Sequence, residues 1–206
     1  MRPAPTVVKL GGSHAFSEHL AGWVGAIADC AGHVIVVPGG GPFADAVRDA
    51  QPRIGFDDDA AHHMALLAME QYGCALASLN GTFVLADSLA AIRLALEATK
   101  VPVWMPSRMA LAAGDIPSSW DITSDSLAAW LAGRLSARQL LLVKHVGLSG
   151  AAVRLPELIA GGIVDQAFAT FLNGAKIPAA LLGPTDQALL GRVIEPGPTV
   201  GIRIDP

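Results

Sequence analysis

The amino-acid sequence predicts an α/β protein built on a mainly parallel sheet. Hydrophobic residues make up 52% of the 206 residues and charged residues only 16%, which is typical of strands that helices bury on both faces. Two apolar runs, at 6–10 and 33–37, each end in glycines and are followed by a segment with helical spacing. Because successive units of strand, glycine turn and helix form parallel sheets with right-handed crossovers, both units favour this fold.

The other elements are predicted from periodicity and from Gly and Pro punctuation. The first half has predicted strands at 82–86 and 101–106, and helices at 13–30, 42–50, 57–78 and 86–99. Ser13 is the expected N-cap of the first helix, and Pro42 suits a first helical position. Beyond a boundary near residue 117 we predict strands at 139–145, 176–183 and 199–204, helices at 125–135, 165–174 and 185–193, and a glycine-rich loop at 147–151.

Charge and cysteine content exclude several classes of function. A net charge of −4 offers no basic surface for nucleic acid or an anionic membrane. Cys30 and Cys74 lack metal-ligand spacing, so we expect a reduced, cytoplasmic protein. The opening MRPAPT does not resemble a secretory signal, and no stretch reaches about 18 apolar residues, so we expect no targeting or membrane segment. Few charges and high apolar content predict a homo-oligomer.

Two of the four lysines, Lys9 and Lys144, interrupt or end apolar strands. A lysine in a buried strand is costly unless an anion meets it. Lys9 is followed by Gly11 and Gly12, and a compact ammonium beside glycine amides favours a phosphate site. For both lysines the alternative is a strand-end side chain that extends to solvent.

A second glycine run, Gly39, Gly40 and Gly41, follows the second strand. Residues 39–44 fit the dinucleotide pattern G-x-G-x-x-A, but the acidic residue expected at the end of the following strand is missing, since the acidic run at 57–59 opens a helix. Three glycines still allow backbone amides to approach an anion at a helix start. A tight turn without a ligand is the alternative.

The stretch WDITSDS, at 120–126, precedes an Ala/Leu-rich helix. Thr123, Ser124 and Asp125 are ordinary helix-capping residue types, which is the simplest interpretation. One acidic residue would suffice for a cap, whereas this stretch has two.

Three stretches, taken in order, resemble the amino acid kinase family. They are KLGGS at 9–13, GGGPFAD at 39–45 and DITSDSLAAWLA at 121–132, and the resemblance extends from Lys9 to about residue 183. It implies a three-layer αβα sandwich like that of carbamate kinase. It also implies an acceptor-binding half at 1–117 and a nucleotide-binding half at 118–206, joined by one continuous sheet.

The resemblance also implies roles for individual residues. Lys9 would neutralise the transferring phosphoryl group, and Asp125 would orient that lysine. Phosphoryl and nucleotide contacts would come from Gly11, Gly12, Ser13, Thr123, Ser124 and Asp165, and acceptor contacts from Gly39, Gly40, Gly41, Arg48 and His62. ATP would be the phosphoryl donor, with Mg²⁺ bound through its phosphates and no metal site built by the protein.

Two departures separate the chain from many family members. A second catalytic lysine is expected after a Gly-Gly pair in the C-terminal half, but residues 161–168, GGIVDQAF, have Asp165 and Gln166 there. The usual Thr-Asp-x-x-Gly nucleotide loop is replaced by residues 143–147, VKHVG. We therefore hypothesise that Lys144 supplies the missing positive charge on the ATP side.

These departures, together with AHHMALLAMEQYG at 61–73, WDITSDS at 120–126 and LLLVKH at 140–145, resemble one subgroup. It is the kinases that convert aminomethylfuranmethyl phosphate to its diphosphate in methanofuran biosynthesis. Such an acceptor is an anion, so Arg48 is a candidate clamp and His62 a candidate donor. Alternatively, Arg48 pairs with Asp45 or Asp49 at the surface, and His62 is merely packed. Apolar walls for the furan ring are expected from Phe43, Trp104 and Met105. Rival interpretations are a carboxylate or UMP kinase of the same family, and a non-catalytic member that binds nucleotide or oxyanions.

Overall fold

The predicted α/β fold is confirmed by the computed structural model, which describes residues 3–147, 149–195 and 197–206. One eight-stranded sheet has the strand order β3-β4-β2-β1-β5-β7-β8-β6, and β7 and β8 are its antiparallel pair. The strands are β1 (Thr6–Leu10), β2 (Val34–Pro38), β3 (Phe83–Ala86), β4 (Val101–Trp104), β5 (Gln139–Val143), β6 (Ala152–Arg154), β7 (Ala179–Leu182) and β8 (Ile202–Asp205).

Helices cover both faces of this sheet and so form the predicted three layers. They are α1 (Leu20–Ala28), α2 (Gly41–Ile54), α3 (Asp58–Ser78), α4 (Leu89–Glu97), α5 (Ser107–Ala110), α6 (Ser124–Arg134), α7 (Leu155–Ala160), α8 (Phe168–Ala175) and α9 (Gln187–Leu190). Alternate residues of β1 point to opposite faces: Val7 joins the core under α4, α6 and α8, whereas Val8 joins the core under α1 and α9.

The topology concentrates three strand ends at the centre of the sheet. β1 pairs in parallel with β2 on one side and with β5 on the other, and Lys9 lies opposite Val37 and Leu142. The strands that follow β1 in the sequence, β2 to β4, all lie on one side of it, and β5 to β8 lie on the other side. This reversal makes the carboxyl end of β1 a topological switch point. Open α/β sheets bind ligands in the crevice outside such a point.

The first helix differs from the prediction. It begins at Leu20 rather than near residue 13, because Gly12–His14 forms a 3₁₀ turn in which Ser13 is not an α-helix N-cap. The Ser17 side chain accepts a hydrogen bond from the His19 backbone N–H at 3.1 Å, a local bond that competes with helix formation. The apolar spacing of the sequence extended through this turn and concealed it.

The C-terminal half contains two elements that the sequence did not predict, β6 and α7. β6 is three residues long with largely exposed side chains, so it has no buried apolar run to reveal it. Leu148, in the predicted loop 147–151, lies outside the described residues. Residues 111–123 form no helix or strand, but the division into an acceptor half and a nucleotide half stays a prediction. In the part of the chain that the structure describes, no helix has the length and apolarity needed to cross a bilayer.

Candidate active site

Lys9, Asp125 and Lys144 meet at the carboxyl ends of β1 and β5. The Asp125 carboxylate lies in the first turn of α6, 3.0 Å from the Lys9 Nζ and 2.6 Å from the Lys144 Nζ, each through a different oxygen. Asp125 is 3% exposed and Lys9 is 6% exposed, so both charges are almost fully removed from water. Two ammonium groups therefore share one carboxylate in a buried site.

Electrostatics explain the protonation of this cluster. Burial raises the pKa of the Asp125 carboxyl, but the ammonium groups of Lys9 and Lys144 outweigh burial and hold that pKa below its usual value. Burial and the charge of Lys9 lower the pKa of Lys144 from 10.5 to about 8, although Asp125 opposes this change. With all three groups ionised, two ammonium groups share the one carboxylate that contacts them, and the charge of Asp165 acts on Lys144 from beyond contact distance. Such a cluster attracts an anion.

Two glycine turns pack against each other beside the cluster. A Cβ atom on Gly12 would overlap the backbone of Gly41, and a Cβ on Gly39 would overlap the backbone nitrogen of Gly12. Gly41 also has a φ of +55°, a backbone conformation that residues with a side chain rarely adopt. A Cβ on Gly11 would lie 3.2 Å from the Lys9 Nζ. These glycines therefore allow backbone amides and the lysine to occupy a space that side chains would block.

Asp165 holds the start of α6 rather than projecting alone into a nucleotide site. One carboxylate oxygen of Asp165 accepts hydrogen bonds from the Thr123 backbone N–H at 3.0 Å, the Thr123 hydroxyl at 2.8 Å and the Ser126 backbone N–H at 3.1 Å. The other oxygen accepts from the Ser126 hydroxyl. Because Asp125 lies between these two anchored residues, Asp165 positions Asp125.

We expect Asp165→Asn to lower the free energy of unfolding by about 2 kcal/mol, since the charge-assisted hydrogen bonds of the carboxylate would become weaker neutral ones. Thermal and urea unfolding would measure the change. Asp121→Asn is the matched control, because Asp121 is an exposed acid just before α6, and it should leave stability within about 0.5 kcal/mol. Equal stabilities for the two variants would contradict this positioning role.

A cavity of about 390 Å³ opens beside the glycine turns, between α2, α3 and the start of α6. It brings together most of the predicted acceptor residues. The Arg48 guanidinium lies over the Trp120 ring, 4.5 Å from its centroid. It also lies 3.2 Å from the Asp45 carboxylate, which is the surface pairing that the sequence offered as an alternative for Arg48. The cavity is lined by Gly12, Ser13, Phe16, Gly40, Gly41, Pro42, Ala44, Asp45, Arg48, His62, Ala65, Leu66, Met69, Trp120, Ile122, Thr123, Ser124 and Leu127.

The aromatic walls of this cavity differ from the expected ones. Trp104 is fully buried and stacks on Trp130 at 6.1 Å, and Phe43 lies outside the lining, as does Met105. Phe16 and Trp120 line the cavity instead. The sequence did not indicate that Phe16 lines the cavity, because the predicted helix at 13–30 placed it at an ordinary helical position.

His62 is only 8% exposed and lines the cavity. Burial lowers the pKa of His62, partly opposed by the charge of Asp59, so the imidazole favours its neutral form. A neutral imidazole can still donate one hydrogen bond to an anion.

His14 is a site residue that the sequence did not single out. It is fully buried in the turn after Gly12, and its ring meets the edge of the His145 ring at 5.4 Å. Burial, followed by the charges of His145 and Lys9, lowers the pKa of His14 to about 4. A neutral ring therefore lies beside the lysine cluster and adds no further positive charge. Its position directly after KLGGS was the only available signal.

The described residues contain no group of three or more His, Cys, Asp or Glu side chains that could hold a metal ion. The groups suited to phosphate oxygens are the two ammoniums and the glycine amides. They also fit a nucleoside triphosphate, whose oxygens would meet Lys9, Lys144 and the turn at Gly11 and Gly12.

Residues 4–182 match the family model described as the amino acid kinase family. The chain belongs to the amino acid kinase family. The resemblance seen in the sequence is thereby confirmed, and its three motifs fall on β1 and its turn, on the turn before α2, and on the start of α6.

One curated relative extends the comparison to an individual protein. The (5-(aminomethyl)furan-3-yl)methyl phosphate kinase of Methanocaldococcus jannaschii is 28% identical over 113 residues, which cover 55% of this chain and 52% of that protein. The match thus spans about half the length of the curated relative.

Three solved structures share the fold of this chain. Uridylate kinase from Archaeoglobus fulgidus has a TM-score of 0.74 at 18% identity, with 98% of this chain and 100% of that chain covered. UMP kinase from Ureaplasma parvum has a TM-score of 0.71 at 15% identity, with both chains fully covered. Aspartate kinase from Synechocystis has a TM-score of 0.65 at 14% identity, covering 88% of this chain and 38% of that one.

Proposed function

We propose that the chain is an ATP-dependent kinase that converts a phosphate monoester to a diphosphate. The observation that supports this most directly is the buried cluster in which Lys9 and Lys144 share Asp125, because two ammonium groups lie there beside two glycine turns. Phosphoryl transfer depends mainly on positioning and on stabilising negative charge, which this arrangement is suited to do.

The proposed acceptor is of the aminomethylfuranmethyl phosphate type, and the proposed context is methanofuran biosynthesis in the cytoplasm. The curated relative with that substrate in its name supports this choice. So does the cavity, in which apolar walls such as Met69 and Leu127 adjoin the glycine turns at Gly12 and Gly41. The homo-oligomer remains a prediction from composition.

The proposed reaction needs no general base. An oxygen of the acceptor phosphate attacks the γ-phosphorus of ATP, the bond from that phosphorus to the β–γ bridging oxygen breaks, and ADP leaves with the bond's electron pair. The transferring phosphoryl group would have its oxygens neutralised by Lys9 and by the amides of Gly11 and Gly12. Lys144 would neutralise the negative charge that develops on the ADP side. Bound through ATP phosphates, Mg²⁺ would supply further charge neutralisation.

The proposal is tested by incubating the purified chain with Mg·ATP and a panel of acceptors: aminomethylfuranmethyl phosphate, UMP, N-acetylglutamate and aspartate. We expect ³¹P NMR to show a diphosphate product and ADP with the first acceptor. Products from the two carboxylates would be acyl phosphates, which hydroxylamine traps. A trapped acyl phosphate, or turnover with UMP alone, would identify a different kinase. Saturable ATP binding without any turnover would indicate the non-catalytic alternative.

A further inference from the structure

The acceptor cavity contains one carboxylate among its described lining residues, that of Asp45. Asp45 pairs with Arg48 at 3.2 Å, three positions further along α2. The two side chains are 69% and 52% exposed, and pairs that exposed contribute at most about 1 kcal/mol. Asp45 can therefore exchange this partner for another cation at little cost.

Arg48 does not need Asp45 to keep its position. Its guanidinium lies over the Trp120 ring at 4.5 Å, and the Trp120 Nε1–H donates a 2.6 Å hydrogen bond to the Gln51 side-chain oxygen. The Gln51 amide in turn donates to the Asp58 carboxylate at 2.9 Å. Arg48 is thus supported by a chain of contacts that leaves the Asp45 carboxylate available for a ligand.

We propose that Asp45 is a specificity-determining residue that binds an ammonium group on the acceptor. Because the acceptor enters this cavity only under the proposed function, the assignment rests on that function. A primary ammonium is a compact charge with three donors, and an exposed carboxylate at the edge of an apolar cavity is a suitable acceptor for it. Phe16, Met69 and Leu127 surround the intervening body of the ligand with apolar surface.

The same carboxylate disfavours other acceptors. An acidic group placed next to Asp45 would be repelled by its carboxylate. A ligand with a neutral end group would leave Asp45 with Arg48 as its partner and would gain nothing from it. Asp45 therefore selects acceptors that have a phosphate at one end and an amine at the other.

The test compares two acceptors that differ in a single group, (5-(aminomethyl)furan-3-yl)methyl phosphate and (5-methylfuran-3-yl)methyl phosphate. We expect the wild-type chain to bind the amine roughly 5-fold more tightly by calorimetry, which is the upper limit for a charge pair with a carboxylate this exposed. Asp45→Asn should reduce this preference to within about twofold, whereas Asp45→Glu should retain part of it. Asp49→Asn is the matched control, because Asp49 is an exposed acid of α2 outside the cavity lining, and it should leave the preference unchanged.

Binding and turnover separate the two proposals. Loss of the amine preference in Asp45→Asn supports the role of Asp45 even if neither compound is phosphorylated, in which case only the proposed kinase activity fails. An equal preference in the wild-type chain and Asp45→Asn overturns the role of Asp45 while leaving phosphorylation of both compounds intact. If neither compound binds, both the role of Asp45 and the proposed function are overturned.

Discussion

Replacing Lys9 by methionine is expected to lower kcat by roughly 1,000-fold, which corresponds to about 4 kcal/mol of lost transition-state stabilisation. Methionine retains an unbranched side chain of similar length but removes the ammonium 3.0 Å from Asp125. The fold should persist, because Asp125 keeps its 2.6 Å contact with Lys144 and no buried charge is left alone. Steady-state kinetics with the acceptor that the panel identifies would measure the loss, and thermal unfolding would show that the variant is folded.

Lys100→Met is the matched control for this experiment. Lys100 lies just before β4, and its ammonium donates to the Gly81 carbonyl at 3.1 Å, away from the cavity beside the glycine turns. We expect its kcat to stay within about twofold of wild type, since surface substitutions away from special features have small effects. A Lys9→Met variant with more than a tenth of wild-type kcat would remove Lys9 from the catalytic centre.

Replacing Lys144 by methionine is expected to lower kcat by roughly 100-fold, because Lys144 is proposed to take the place of the second lysine of the family. The effect has a distinctive pH dependence. Burial and Lys9 lower the pKa of Lys144 to about 8, and the ammonium is the charged, active form. Activity should therefore be present below pH 8 and fall as the pH rises through that value. The pH profile of kcat from pH 6.5 to 9.5 would measure this fall.

Lys144→Arg distinguishes loss of charge from loss of structure. A guanidinium stays protonated throughout this pH range, so we expect lower activity but no fall near pH 8. Unfolding of the wild-type chain serves as a second control. Between the folded pKa near 8 and the unfolded value of 10.5, the unfolded Lys144 binds more protons than the folded one, so its contribution to stability rises with pH. Wild-type kcat in Lys144→Met would exclude the residue from catalysis.

The sequence was informative wherever the signal was local. β1, β2 and their glycine turns were predictable from short apolar runs that end in glycine. The start of α3 was predictable from its acidic first turn, and the structure has Asp57 as its N-cap. Asp125 could be placed at a helix start because Thr and Ser precede it, and its family motif indicated a role in the site.

The sequence could not reveal contacts between distant segments. Asp165 receives hydrogen bonds from Thr123 and Ser126, residues 42 and 39 positions earlier, and nothing in GGIVDQAF indicates a partner at that separation. The cavity wall depended on where α1 begins, which local hydrogen bonding at Ser17 determines against the apolar periodicity. The nearness of Lys9 and Lys144 depended on the pairing of β1 with β5, which only the sheet order establishes.

That pairing has a consequence for how the protein folds. Thr6 lies opposite Gln139 in the sheet, and their buried side chains are joined by a 3.2 Å hydrogen bond across a sequence separation of 133 residues. Closing so long a loop is entropically costly and slow. During synthesis, a ribosome must deliver about two thirds of the chain before β1 can acquire its second neighbour. Until then the lysine of β1 lacks its partner lysine, which directly follows β5, so the complete charged centre is among the later parts of the molecule to form.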